Sequence, residues 1–362
     1  MFTERIYNFS AGPSMLPEPV LKQASAELLN YGGTGTSVME MSHRSKDFLA
    51  IFEETKALLK EVMAVPDSHE ILFLPGGATL QFSMIPMNLI GTSGKADYAV
   101  TGNFSNLAMK EAKKYGDIHV AANSADKNHT YIPGQGDLNL RPDAAYFHYC
   151  SNNTIYGTEW DYVPETGDVP LVCDMSSNIL SKPVDVSKYG IIYAGAQKNM
   201  APAGLAVVII DKALLGRVPE NLSPMLDYKV QVEKDSMHNT PPCYNIYMLG
   251  LVLKWIKAQG GLVGMQKKNE EKAKVLYDYL DSSKLFKACA EPAARSMMNV
   301  TFVTGNEELD AAFAKEATKR GLSNLKGHRN VGGMRASIYN AMPKEGLEAL
   351  VAFMKEFEKE NA

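Results

Sequence analysis

Lys198 occupies an unusual place for a lysine. It follows the apolar run Ile191-Ile192-Tyr193-Ala194 and the small residues Gly195 and Ala196, and a second apolar run, 205–210, comes soon after. Most lysines sit on polar helix faces or in charged loops, so one placed between two core strands is expected to be held at a site. Upstream, Asp174 closes a short apolar run, 169–173, and precedes Met175-Ser176-Ser177. A strand-end aspartate and a strand-end lysine are what a pyridoxal-phosphate site requires. The amine forms an imine with the cofactor, and the carboxylate keeps the ring nitrogen protonated so that the ring accepts electrons. A buried Lys–Asp pair, or two unrelated polar residues at strand ends, would give the same pattern, and spacing alone leaves all three open.

Other segments supply what such a cofactor needs. Leu74-Pro75-Gly76-Gly77-Ala78-Thr79-Leu80-Gln81-Phe82 reads as a strand end turning into a helix, where glycines allow close backbone approach and free N–H groups favour a phosphate. It is neither a Walker A loop nor a dinucleotide fingerprint. Thr101-Gly102-Asn103-Phe104-Ser105 puts an aromatic near another strand end, and Asn152-Asn153-Thr154 offers a hydroxyl after a third. Carboxyl ends of strands are where open α/β sheets bind ligands. Two segments pair histidine with arginine: Met41-Ser42-His43-Arg44-Ser45 and Lys326-Gly327-His328-Arg329-Asn330. A single pair could be a solvated helix cap. Two pairs, with Arg335 in Gly333-Met334-Arg335-Ala336-Ser337, point to a multiply charged anion, because the planar guanidinium fork matches carboxylate and phosphate.

The elements that must position these residues alternate. Strand-type runs at 70–74, 96–101, 118–121, 145–149, 169–173, 190–194 and 205–210 are separated by helical patterns, predicting an α/β body with a mostly parallel seven-stranded sheet covered on both faces. Within 45–62, Phe48, Ile51, Phe52, Thr55, Leu58, Leu59 and Val62 recur at helical spacing, and 105–115 is a second helix. After Gly260-Gly261 the texture changes: a charged amphipathic helix over 267–280, a strand over 298–303, a helix near 307–320, a strand over 334–339, and a final helix from about Lys344. These predict a smaller α+β domain. The expected division is 16–260 for a large cofactor-binding domain, and 1–15 with 261–362 for the small one.

The whole chain bounds the rest. Its 362 residues are 45% apolar and 22% charged, with a net charge of −4, which gives no electrostatic footprint for nucleic acid. Met1-Phe2-Thr3-Glu4-Arg5 does not read as a signal peptide, and no apolar run is long enough to span a membrane, so a cytoplasmic protein is expected. Cys150, Cys173, Cys243 and Cys289 are scattered, and the seven histidines show no H-E-x-x-H pattern, so neither a disulfide framework nor a metal site is expected.

With these residues in view, the chain resembles the phosphoserine aminotransferases, fold-type-I pyridoxal-phosphate enzymes. The resemblance runs nearly end to end through Asn8-Phe9-Ser10-Ala11-Gly12-Pro13, Gly35-Thr36-Ser37-Val38-Met39-Glu40-Met41-Ser42-His43-Arg44, Tyr193-Ala194-Gly195-Ala196-Gln197-Lys198-Asn199, His238-Asn239-Thr240-Pro241-Pro242, Lys326-Gly327-His328-Arg329 and Gly332-Gly333-Met334-Arg335-Ala336-Ser337. It implies that Lys198 carries the pyridoxal 5'-phosphate, Asp174 pairs with the ring nitrogen, Phe104 stacks on the ring and Thr154 bonds the ring hydroxyl. Ala78, Thr79 and Gln197 would hold the cofactor phosphate, joined by Asn239 and Thr240 from a second subunit. Arg335 would take the substrate α-carboxylate. His43 and Arg44 (from the second subunit), with His328 and Arg329, would grip the substrate phosphate or the distal carboxylate of glutamate. The shared site implies an obligate homodimer. The implied reaction is reversible transamination between L-glutamate and 3-phosphohydroxypyruvate in serine biosynthesis, with 4-phosphohydroxythreonine in pyridoxine biosynthesis as a further candidate substrate.

The chain departs from some relatives in carrying Phe104 where they have tryptophan, and Ala78-Thr79 where they have Gly-Arg. Both changes predict altered cofactor affinity rather than a lost site. Related enzymes acting on unphosphorylated substrates, such as a serine–glyoxylate aminotransferase or a cysteine desulfurase, share the cofactor site. The His-Arg segments argue against the first, and the lack of a cysteine in an obvious mobile loop argues against the second. A non-catalytic phosphate-binding protein would explain the glycine turn and the cations but not the Lys198–Asp174 pairing.

Overall fold

The structure is a computed structural model that describes residues 5–91, 93–219 and 221–361. Its centre is a seven-stranded sheet. In chain order the strands are β1 (His69–Leu74), β2 (Lys95–Val100), β3 (Asp117–Asn123), β4 (Phe147–Cys150), β5 (Leu171–Asp174), β6 (Ile191–Gly195) and β7 (Ala206–Asp211). Across the sheet they lie β1-β7-β6-β5-β4-β2-β3. Only β7 runs antiparallel to its neighbours, pairing Ala206 with Leu74 on one side and with Gly195 on the other. The remaining pairs are parallel. The expected mostly parallel seven-stranded α/β sheet is therefore the one found. Parallel strands need covered faces, which is why they read as unbroken apolar runs rather than alternating ones.

Helices cover both faces. On one, α1 (Lys46–Val62) opens at Ser45, whose Oγ accepts from the Phe48 N–H at 3.2 Å, a cap that contributes about 1 kcal/mol. It buries Phe48, Ile51, Phe52, Thr55 and Leu59. Its neighbour α4 (Cys243–Ala258) touches it so closely that a Cβ on Gly250 would stand 2.6 Å from Thr55 Oγ1. Sequence periodicity does not reveal α4, because it is apolar nearly all round, with nine of its residues buried. On the other face, α2 (Gly77–Leu89) and α3 (Asn103–Ala112) pack against Leu72, Tyr98, Val172, Tyr193 and Val208. Helix α3 starts and stops earlier than the expected 105–115. The Ser105 hydroxyl accepts from the N–H groups of Thr101 and Gly102, both at 3.1 Å, so the chain turns into the helix as soon as β2 ends.

Beyond Gly260, in the left-handed region at φ 91°, the long α5 (Gly261–Ser282) extends further at both ends than its amphipathic part. It leads into a three-stranded antiparallel sheet of β8 (Lys287–Ala288), β9 (Asn299–Val303) and β10 (Met334–Ser337), covered by α6 (Glu307–Lys319) and α7 (Lys344–Asn361). This region has its own core, including Phe286, Phe302, Phe313 and Phe357, and Phe9 belongs to it. Tyr7–Asn8 forms a parallel strand with Leu322–Ser323. Leu262 and Met265, at the start of α5, still pack with the large-sheet core.

Candidate active site

Six of the seven strands run the same way: β2, β4, β5 and β6 all end at one rim, and β1 reaches that rim too because β7, between it and β6, runs the other way. A cavity of about 390 Å³ opens there, lined among others by Ala78, Thr79, Phe104, Thr154, Asp174, Gln197, Lys198, His328 and Arg335. Each side chain owes its place to a strand end. After β1, Gly76 takes a left-handed φ of 88° and α2 starts at Gly77, with no side chain among the described residues capping it. Its first N–H groups are thus free toward Ala78 and Thr79, where the helix dipole also favours an anion. After β2, Phe104 sits in the first turn of α3. After β4, Asn152–Asn153 pairs with Thr158–Glu159 in a small hairpin that carries Thr154 at its turn.

Asp174 is the last residue of β5. Its Oδ1 accepts from the Ser176 N–H at 2.8 Å, while the Ser176 hydroxyl accepts from the Gly195 N–H at 3.0 Å, tying the ends of β5 and β6 together. Lys198 follows β6 and is buried. Its Nζ donates to Thr154 Oγ1 at 3.0 Å and lies 5.4 Å from the centre of the Phe104 ring. The backbone of this turn is held by Ser14, whose N–H donates to the Gln197 carbonyl at 3.0 Å and whose hydroxyl donates to the Lys198 carbonyl.

Burial pushes the Lys198 amine below the ordinary lysine range, with the Asp174 charge opposing and Arg335 reinforcing that change. Burial likewise pushes the Asp174 carboxyl up, against the pull of Lys198 and Ser176. A buried amine kept short of its usual basicity can act as a base near neutrality. Half-buried Arg335 reaches the Thr154 carbonyl at 3.5 Å. His328 is held below its usual value by burial and then by Arg335 and Arg329.

Fourteen candidate residues came from the sequence. The nine named above line one cavity; His43, Arg44, Asn239, Thr240 and Arg329 do not line it within this single chain. Arg44, Arg329 and Thr240 are exposed, and Asn239 Oδ1 is buried with no partner among the described residues. Ser176, Ser177, Asn152 and Cys150, to which the sequence assigns no binding role, also line the cavity. Ser176 could have been found as the residue that satisfies an aspartate two positions earlier, a common turn device. Cys150 reads as an ordinary buried thiol, and burial does push its pKa up.

The cavity's chemistry, a buried amine beside a buried carboxylate with an aromatic ring and an uncapped helix start, fits an aminotransferase. The family model Aminotransferase class-V matches residues 6–350. The phosphoserine aminotransferase of Bacillus cereus (strain ATCC 14579) is 53% identical over 99% of each chain, and that of Nitrosomonas europaea is 52% identical over 99% of this chain and 100% of its own. The solved structure of phosphoserine aminotransferase from Bacillus circulans subsp. alkalophilus superposes with a TM-score of 0.98 at 46% identity, covering 99% of this chain and 100% of that one. The chain belongs to the class-V aminotransferases and, within them, to the phosphoserine aminotransferase family.

Proposed function

We propose that this chain moves an amino group from L-glutamate to 3-phosphohydroxypyruvate, yielding O-phospho-L-serine and 2-oxoglutarate, with pyridoxal 5'-phosphate as resident cofactor. The observation that carries this reading is the buried Lys198 amine between Thr154 Oγ1 and the Phe104 ring, in one cavity with Asp174. The donor set fits that cofactor: an amine for its aldehyde, a carboxylate for its ring nitrogen, an aromatic face, and a helix start with free N–H groups for its phosphate. When bound, the cofactor supplies an electron sink for the carbanion formed at the substrate Cα.

The chain's own residues do the rest. Ala78, Thr79 and Gln197 hold the cofactor phosphate, completed by Asn239 and Thr240 of a second copy. Thr154 bonds the ring hydroxyl. Arg335 pairs with the substrate carboxylate, fixing which bond at Cα faces Lys198. Lys198 Nζ, whose basicity burial lowers, takes the Cα proton and later returns it. His328 and Arg329, with His43 and Arg44 of a second copy, hold the substrate phosphate or the distal carboxylate of glutamate. A homodimer accounts for His43, Arg44, Asn239 and Thr240, which stay outside the cavity, and it would cover Leu29 and Met39, which are 85% and 59% exposed just ahead of His43. We take 16–260 as the cofactor-binding domain and 1–15 with 261–362 as the small domain, supported by the strand pairing of Tyr7–Asn8 and by Phe9 in the second core. Among the described residues no single helix is long and apolar enough to cross a membrane.

The test is glutamate formation from 2-oxoglutarate with O-phospho-L-serine, against L-serine. Strong activity with the phosphorylated donor alone is the expected result. Equal activity with serine would overturn the substrate, and no activity in a yellow, cofactor-loaded protein would overturn the reaction.

A further inference from the structure

Strands β9 and β10 have two faces of different character. Val300, Phe302, Met334 and Ala336 go into the core beneath the three-stranded sheet. The alternate residues, Asn299, Thr301, Arg335 and Ser337, are polar, and the register sets Asn299 opposite Ser337 and Thr301 opposite Arg335. Cross-strand partners share a face, so these four form one polar patch. It rests on the hairpin that carries Thr154. Asn299 Oδ1 accepts from Asn152 Nδ2 at 2.8 Å, the Thr301 hydroxyl donates to the Tyr156 carbonyl at 2.9 Å, and Arg335 reaches the Thr154 carbonyl. Ser337 joins through Asn299, whose Nδ2 donates to its hydroxyl at 2.9 Å.

Exposure is 0% for Asn299 and 1% for Asn152, so no bulk water competes for their bonds, and each bond has one consistent direction. The Tyr339 hydroxyl donates to the Ala11 carbonyl at 2.7 Å, so its oxygen accepts from Asn299 Nδ2 at 3.1 Å. The Ser177 hydroxyl donates to the Asn152 carbonyl at 2.9 Å, so its oxygen accepts from Asn152 Nδ2 at 2.8 Å. The Ser296 hydroxyl fills Asn152 Oδ1 at 2.6 Å. Both amides thus use two donors and an acceptor. The chain of bonds begins and ends on the cavity wall, which Ser177, Asn152 and Ala11 all line. Apolar side chains would also seal this seam. A fully paired pair of amides adds a fixed geometry, because sliding one side over the other strands buried polar groups.

We propose that Asn299 is a positioning residue for the substrate carboxylate: by locking the polar face of β9 and β10 onto Asn152, it sets where the Arg335 guanidinium stands relative to Thr154 and the Lys198 amine. This rests on the reading of Arg335 as the carboxylate's partner. Without the Asn299 amide, Asn152 Nδ2 loses an acceptor, Tyr339 loses a donor, and the two strands are released from the hairpin. The paired contact of a guanidinium with a carboxylate depends on angle, so it suffers most. The phosphate, held by several cations from two copies, suffers least.

The experiment titrates two unreactive ligands into cofactor-loaded, full-length protein: 3-phosphoglycerate, and glycerol 3-phosphate, which lacks the carboxylate. The proteins are the wild type, Asn299→Ala and Asn88→Ala. Asn88 is a control, a buried asparagine bonded to the Met84 and Leu226 carbonyls, both at 2.8 Å, and outside the cavity lining. The wild type and Asn88→Ala should favour 3-phosphoglycerate by the same ratio. In Asn299→Ala that ratio should fall about 10-fold, the worth of one charge-assisted hydrogen bond, with the absorbance and occupancy of the cofactor unchanged. An unchanged ratio in Asn299→Ala, an equal fall in Asn88→Ala, or loss of cofactor from Asn299→Ala overturns the proposal. A wild type that does not favour 3-phosphoglycerate overturns the reading of Arg335 itself, and this inference with it. Should Asn299→Ala fail to fold, Tyr339→Phe decides alone: it removes one bond of the chain and should lower the ratio by less, and an unchanged ratio there overturns the proposal.

Discussion

Lys198 Nζ donates to Thr154 Oγ1 over 3.0 Å, joining the turn after β6 to the hairpin after β4. The amine is thereby aimed across the cavity while burial keeps it below its ordinary basicity. Lys198→Ala removes the amine placed to take and return the proton. General acid–base groups contribute roughly 10²- to 10⁴-fold, so transamination should fall by at least that much, while cofactor still binds without a covalent link. Stopped-flow and absorbance measurements on the loaded variant check both parts. Substantial turnover would remove Lys198 from the role of base.

Lys272, in α5, is buried and donates to the carbonyls of Ile338, Tyr339 and Asn340 at 2.9, 2.7 and 3.5 Å. The Asn340 N–H in turn donates to Asn199 Oδ1 at 3.0 Å, next to Lys198. Burial pushes Lys272 down to about 7, whereas in the unfolded chain it titrates near the ordinary value of about 10.4. Between those values the unfolded state binds more protons, so stability rises with pH over that window and is flat below it. Relative to Lys272→Met, the wild type should gain on the order of 2 kcal/mol between pH 7 and 9. Melting curves of both proteins with cofactor bound would show it; a pH-independent difference would mean that the lysine stays charged on its three carbonyls.

Arg329 is exposed and its charge reaches His328, which lines the cavity. If it grips the substrate phosphate, Arg329→Ala should lower kcat/KM for O-phospho-L-serine by about 10- to 100-fold, the worth of one or two charge-assisted hydrogen bonds. L-Alanine, which has no phosphate, serves as the comparison. Equal losses for both donors would take the phosphate role away from Arg329.

Much of this arrangement was legible in the sequence because parallel strands buried on both faces read as short apolar runs, and Asp174 and Lys198 interrupt that texture at strand ends. The seven strands and the gathering of Thr154, Asp174 and Lys198 follow from it. The reversed direction of β7 was not legible, since an apolar run such as Val207 to Ile210 carries no mark of its orientation. Helix α4 was hidden by burial on all sides. For His43, Arg44, Asn239 and Thr240, motif resemblance supplied roles that no contact within one chain displays.

Gly76 shapes the phosphate end of the cavity. Its φ of 88° is in the left-handed region, and an added Cβ would stand 2.5 Å from Leu80 Cδ2 and 2.8 Å from Leu80 Cβ. The first contact could be relieved by a rotamer change, but the second involves an atom fixed to the helix backbone. Gly76→Ala must therefore shift the first turn of α2, where the free N–H groups beside Ala78 and Thr79 face the cavity. The backbone strain alone costs about 1–3 kcal/mol, and the displaced donors should weaken cofactor binding beyond any loss of stability. Cofactor titration of the refolded variant, together with its melting temperature, tests this. A variant that melts earlier yet binds the cofactor as tightly as the wild type would show that the helix start does not hold the phosphate.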